Sequence, residues 1–94
     1  MRNGWRIIAR NVRHGRGEVD IIAERHGVVA VCEVKTRRNN DFGFAGEAMT
    51  PAKCRTVRRT AHGWARDNGV PASRLRFDAA FVVGRSLEVV ENAF

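Results

Sequence analysis

The chain has 94 residues, enough for one modest hydrophobic core and too few for two. Its formal charge is +7, and of its 17 basic residues all but Lys35 and Lys53 are arginine, so the balance favours a polyanionic partner, most simply nucleic acid. Cys32 and Cys54 are too few for a thiolate zinc site and are expected as free, buried thiols; no signal peptide or membrane-length apolar run can be read, which predicts a cytoplasmic, soluble protein with no membrane partner.

Taken in order, Trp5 to Val12 alternates imperfectly and predicts a first strand, with Trp5, Ile7, Ile8 and Val12 toward a core and Arg6 and Arg10 toward solvent. His14-Gly15-Arg16-Gly17 reads as a turn. Its glycine N–H groups and Arg16 guanidinium are of the kind that meets a phosphate, although such a turn is more often simply solvated.

Gly17 to Lys35, GEVDIIAERHGVVAVCEVK, is the stretch richest in chemistry. Glu18 to Glu24 predicts one strand. Val28 to Val34, small and β-branched with a single acid, predicts a central strand buried on both faces. Alternation puts Glu33 and Lys35 on one face of it, with Cys32 and Val34 on the other. Glu18 and Asp20 share a face of the partner strand. A two-residue loop at His26-Gly27 would pair Arg25 with Val28, set Asp20 opposite Glu33, and set Glu18 opposite Lys35. A three-residue loop would turn Asp20 toward Cys32. The even loop is the expected one, because Gly27 supplies a positive φ.

Two carboxylates facing each other repel unless a proton or a cation lies between them. Hard oxygen donors at Asp20 and Glu33, with no His or Cys beside them, suit Mg²⁺ or Mn²⁺, and the Lys35 ammonium is placed to orient a water or hold a phosphate oxygen. Such a set points to phosphodiester hydrolysis. An acid two residues before a lysine is also common in strands as an exposed ion pair, so the pattern alone does not decide.

Thr36 to Gly46 has loop composition, with Arg37 and Arg38 following Lys35 as candidates to grip a nucleic-acid backbone, and Phe42 and Phe44 available to stack on bases or cover the core. Thr50-Pro51 predicts the start of a helix. Its expected buried stripe is Cys54, Val57, Ala61 and Trp64, its basic surface Lys53, Arg55, Arg58, Arg59 and Arg66, and its stop Asn68-Gly69. Arg76 to Val83 and Leu87 to Val90 predict two closing strands around a turn at Gly84-Arg85. Asp78 interrupts the first of them and is expected to need an arginine partner.

The segments RNVRHGRGEVDIIAE, VVAVCEVKTRR, FGFAGEAMTPAK, RFDAAFVV and the closing ENAF resemble the YraN-type family of uncharacterised bacterial proteins, restriction-endonuclease-like and related to Holliday-junction resolvases. The resemblance implies an α/β fold in which a mixed β-sheet with a flanking helix, order βββαββ, forms a single nuclease-like domain over residues 1–94. The N-terminal helix usual in the family, with its acidic residue, is read as absent here, and Val89 stands where the family tends to carry a histidine. By the same resemblance Asp20 and Glu33 would be metal ligands with the Val34 carbonyl as a third. Lys35 would orient the attacking water, and Glu18 would be a supporting acid. Arg16, Arg37, Arg38 and Lys53 complete the expected nucleic-acid contacts.

The expected function is therefore a Mg²⁺- or Mn²⁺-dependent endonuclease acting on DNA more readily than RNA, with branched or otherwise structured DNA among the candidate substrates. The alternatives are a non-catalytic nucleic-acid-binding module that keeps the nuclease fold, or a structural protein that forms a homodimer through a sheet edge.

Overall fold

The computed structural model describes residues 4–37, 50–83 and 86–93, with the backbone alone for residues 36, 37, 82, 83 and 86–88. Three strands come first: β1 (Arg6–His14), β2 (Gly17–Arg25) and β3 (Val28–Arg37). Then follow α1 (Pro51–Asp67), a 3-10 turn (Ala72–Arg74), β4 (Leu75–Val83) and β5 (Ser86–Val90). The strands lie in the order β1-β2-β3-β4-β5. Only β3 and β4, the pair that α1 connects, are parallel. This is a mixed α/β fold in the order βββαββ, compatible with a restriction-endonuclease-like arrangement. β3 runs two residues into the stretch that reads as loop, and the remainder of that stretch, with Arg38, Phe42 and Phe44, lies outside the described residues, as does the Gly84-Arg85 turn.

The β2–β3 register is that of the two-residue loop, with Arg25 paired to Val28 and Ile21 to Cys32. His26 and Gly27 have φ of 51° and 81°, the doubly positive geometry of a type I′ turn, whose twist matches that of the strands it joins. Histidine is among the residues that tolerate the left-handed region, and glycine enters it freely.

β1 and β2 do not alternate strictly. Val19 and Ile22 are three residues apart, yet both are fully buried in one cluster with Val29, Val31, Val57, Ala61 and Phe77. Their partners Val12 and Ala9 in β1, also three apart, pack on the same cluster. Asn11, between them, has φ 49°, and a left-handed residue inside a strand re-aims the side chains that follow. A further register shift lies between Ile7 and Ala9, and Ile8, which reads as a core residue, is 36% exposed.

α1 begins as its sequence dictates. The Thr50 hydroxyl accepts the Lys53 N–H at 3.2 Å, and Pro51 holds the first position, where no N–H is needed. Its buried residues are Val57, Thr60, Ala61, Gly63 and Ala65, while Cys54 and Trp64 stay partly exposed. The helix is thus rotated from the large-residue stripe toward its small residues, because the β1–β2 turn docks there. A Cβ on Gly17 would lie 1.8 Å from Thr60 Oγ1, and one on Gly63 would meet the His14 ring at 2.4 Å.

On the other sheet face, Arg76 forks onto Asp78, with Nε 2.9 Å from Oδ1 and Nη2 2.8 Å from Oδ2. Asn92 N–H adds a third bond to this 3% exposed carboxylate. The guanidiniums of Arg25 and Arg76 stack on Trp5, 4.8 and 5.2 Å from its ring. Cys32, a free thiol, is pushed up to about 11 by burial and by the carboxylates of Asp78, Asp20 and Glu33.

The close approach at Gly17 is directly testable. Gly17→Ala should destabilise the protein by about 1–3 kcal/mol through overpacking against Thr60, and pairing it with Thr60→Ala should recover much of that loss. Urea denaturation of the two single variants and the double variant measures the coupling.

Candidate active site at a fork in the sheet

β2 and β3 share a ladder only from Arg25–Val28 to Ile21–Cys32. Beyond it β2 continues with β1 as far as His14–Gly17, while β3 continues with β4 as far as Arg37–Val83. The sheet therefore forks. At the crotch the Asp20 carboxylate stands in for the missing rung, with Oδ2 accepting the Val34 N–H at 2.8 Å. In an extended strand the N–H and C=O of a residue point to the same side, so the Val34 carbonyl also faces β2. The same register carried one residue further brings Asp20 beside Glu33, the side chain on the α1 side of β3 next after Val29 and Val31.

Glu33 is only 4% exposed. Its Oε2 lies 3.7 Å from Lys35 Nζ and 3.5 Å from Lys53 Nζ, so both lysines of the chain converge on this one carboxylate. Lys35 arrives from the same strand face two residues on. Lys53 arrives from the first turn of α1, where the Thr50 cap sets the helix start. Two acids and two ammonium groups make a formally neutral quartet. An open cleft of about 330 Å³ is lined by Asp20, Val34, Ile21, Arg10 and Asn11, so that Asp20 is the member of the quartet that reaches it.

The electrostatics are tense. Burial, and after it the neighbouring Asp20 charge, hold the Glu33 carboxyl above the usual glutamate range despite the two ammonium groups. Hydrogen bonding to Lys53, partial burial and the like charge of Lys53 push the Lys35 ammonium below its ordinary range. Among the described residues no three His, Cys, Asp or Glu side chains converge. Any cation here would take protein oxygens from Asp20, Glu33 and the Val34 carbonyl.

Of the residues expected at a site, Asp20, Glu33, Val34 and Lys35 meet at the fork. Glu18 does not join them. Its exposed carboxylate pairs with Arg13, 3.2 Å away and opposite it in β1, because the broken alternation between Val19 and Ile22 removes it from the Asp20 face and the β2–β3 ladder has ended before Lys35. Arg16 is exposed at the β1–β2 turn and lines a different groove, against α1. Arg37 contributes its backbone to β3, and Arg38 lies outside the described residues. Lys53, expected on a basic helix surface, is instead an ion-pair partner of Glu33; the signal available in the sequence was that it is one of only two lysines among so many arginines.

A raised folded-state affinity for the Glu33 proton fixes the sign of a pH effect. Its contribution to stability is full below the unfolded-state value of about 4.3 and is lost as pH rises through the elevated folded value. Urea unfolding between acid and neutral pH should therefore show the parent losing stability relative to Glu33→Gln as pH increases. A gap between the two that does not change with pH would contradict the assignment.

Comparison with known proteins gives a consistent answer. The sequence model of the uncharacterised protein family UPF0102 matches residues 1–82. The UPF0102 protein of Symbiobacterium thermophilum is 43% identical over 97 residues, covering 98% of this chain and 82% of the relative. That of Bifidobacterium longum is 40% identical over 99 residues, covering 98% and 80%. That of Chlorobium phaeobacteroides is 38% identical over 90 residues, covering 96% and 71%. UPF0102 is the YraN-type family that the sequence segments resemble, and the chain belongs to it.

Proposed function

We propose that this protein is a metal-dependent endonuclease that hydrolyses phosphodiester bonds in DNA, with the reaction at the fork. The observation that carries the reading is the meeting of a nearly buried carboxylate, Glu33, with the chain's two lysines and with Asp20, which also lines an open cleft at the fork. A structural ion pair would need neither the second carboxylate nor the opening.

The donor set suits Mg²⁺ or Mn²⁺. Two carboxylates and a carbonyl are all hard oxygens, and Mg²⁺ is ordinarily held by one or two carboxylates with water and substrate phosphate supplying the rest. Bound there, the ion would stabilise charge developing on the phosphoryl oxygens and activate water. Asp20 is held for this role by its bond to Val34 N–H, which leaves it little freedom to turn away. Lys35 orients the attacking water or a phosphate oxygen, and Lys53 balances Glu33 from the helix side. Arginines around the fork, Arg10 on the cleft wall among them, attract and hold the polyanion.

A second reading has its own observation. Lys35 and Lys53 already lie within ion-pair distance of Glu33, so the acids can be balanced by the protein itself. That arrangement favours a nucleic-acid-binding module that retains the nuclease fold without the chemistry. A homodimer is compatible with either reading, since Val89 and Val90 on β5, at the sheet edge, are 54% and 43% exposed.

Cleavage of labelled linear, single-stranded and four-way-junction DNA with Mg²⁺, Mn²⁺ or EDTA separates the readings. Metal-dependent cutting is expected, falling by about 10²-fold or more in Asp20→Asn and Glu33→Gln. Tight, salt-sensitive binding without cutting under either metal would leave the binding module.

A further inference from the structure

Several arginines among the described residues are committed to partners within the protein. Arg6 and Arg74 bond to Glu24, Arg13 to Glu18 and Arg76 to Asp78, while Arg58 stacks on Phe77 at 4.7 Å. Arg16, Arg59 and Arg66, by contrast, have no carboxylate or aromatic partner among the described residues, and all three line one groove of about 490 Å³ between the β1–β2 turn and α1. His14, on the wall of this groove, is turned to Asp67, with Nε2 3.4 Å from Oδ2. The Thr56 and Thr60 hydroxyls donate back into the helix, to Ala52 and Thr56 carbonyls. Recognition in the groove therefore falls to three uncompensated guanidiniums.

The groove is built, not incidental. Its floor exists because Gly17 and Gly63 let the turn approach the helix more closely than any Cβ would allow. Thr56, Thr60 and Gly63 stand three, seven and ten residues beyond Lys53, on the same face of α1, so the groove continues the line of the helix that delivers Lys53 to Glu33. Along β2, Gly17 lies three residues before Asp20, roughly 10 Å at strand rise.

We propose that this groove is a second phosphate site, in which Arg16, Arg59 and Arg66 hold backbone phosphates of the nucleic acid bound at the fork. It rests on the nucleic-acid reading above and adds to it a fixed second point of attachment. Two points of attachment fix the line along which the backbone crosses Asp20 and Glu33. Contacts to backbone phosphates are independent of base sequence and sensitive to salt.

The test is binding of a labelled linear DNA duplex by fluorescence anisotropy across a salt series in EDTA. The full chain is compared with Arg59→Gln/Arg66→Gln and with Arg6→Gln/Arg13→Gln, a control that removes the same formal charge from two exposed positions of β1 outside the groove. The groove pair should bind about tenfold or more weakly and lower the slope of log K against log salt by about 1.8, with thermal melting unchanged. The control should keep most of the slope. Equal losses in both pairs would overturn the groove, since only net charge would then matter. A parent that ignores DNA at low salt would overturn the groove and the nucleic-acid reading together. A parent that binds with the expected difference in slope but never cuts with metal would sustain the groove and remove only the nuclease reading.

Discussion

One backbone N–H decides the geometry of the fork. Where β2 leaves β3, the Val34 amide would face a cleft with no strand beside it, and a half-buried donor without an acceptor costs about 1–3 kcal/mol. Asp20 supplies the acceptor at 2.8 Å. The bond ends the ladder cleanly and pins an acid next to Glu33. It also lets the two strands serve different partners, β2 following β1 and β3 following β4. Without the fork Asp20 would be an ordinary ladder residue with its side chain free to turn outward.

The fork also explains how far the sequence could be read. The His26-Gly27 turn and the apolar run of β3 are local signals, and they were sufficient to predict the register that brings Asp20 toward Glu33. Glu18 was misplaced because parity counting assumes unbroken alternation, which the left-handed Asn11 and the three-residue interval between Val19 and Ile22 interrupt. No hydrophobic pattern announces such a slip, since both registers bury a plausible set of side chains. The helix start was legible from Thr50-Pro51. Its facing was not: burial of Thr60 and Gly63 in preference to Cys54 and Trp64 follows from the close dock of a turn that precedes the helix by more than thirty residues. The contribution of Lys53 was hidden for the same reason, as a tertiary contact between elements that local reading treats separately.

The division between lysine and arginine in this chain follows the chemistry of the two groups. Guanidinium is weakly hydrated, always charged and suited to carboxylate and phosphate forks, so it serves the ion pairs with Glu24 and Asp78, the stacks on Trp5 and Phe77, and the basic groove. Ammonium is compact and its protonation responds to surroundings. The chain places both of its ammonium groups at an acid that is nearly buried and beside another acid. That placement offsets the cost of burying Glu33.

The neutral quartet has a consequence for any partner that reaches it. Asp20, Glu33, Lys35 and Lys53 sum to no net charge, so the long-range attraction for a polyanion must come from the arginines around them and not from the site itself. A phosphate arriving at the fork adds negative charge to a group that is already balanced, and like charge on Asp20 and Glu33 then opposes it unless a cation accompanies it. The lysines balance the two acids; they do not supply the surplus positive charge that a phosphodiester between two carboxylates would require. The physical case for a divalent ion at this fork therefore rests on charge balance in the presence of substrate, more than on the donor atoms that the protein provides.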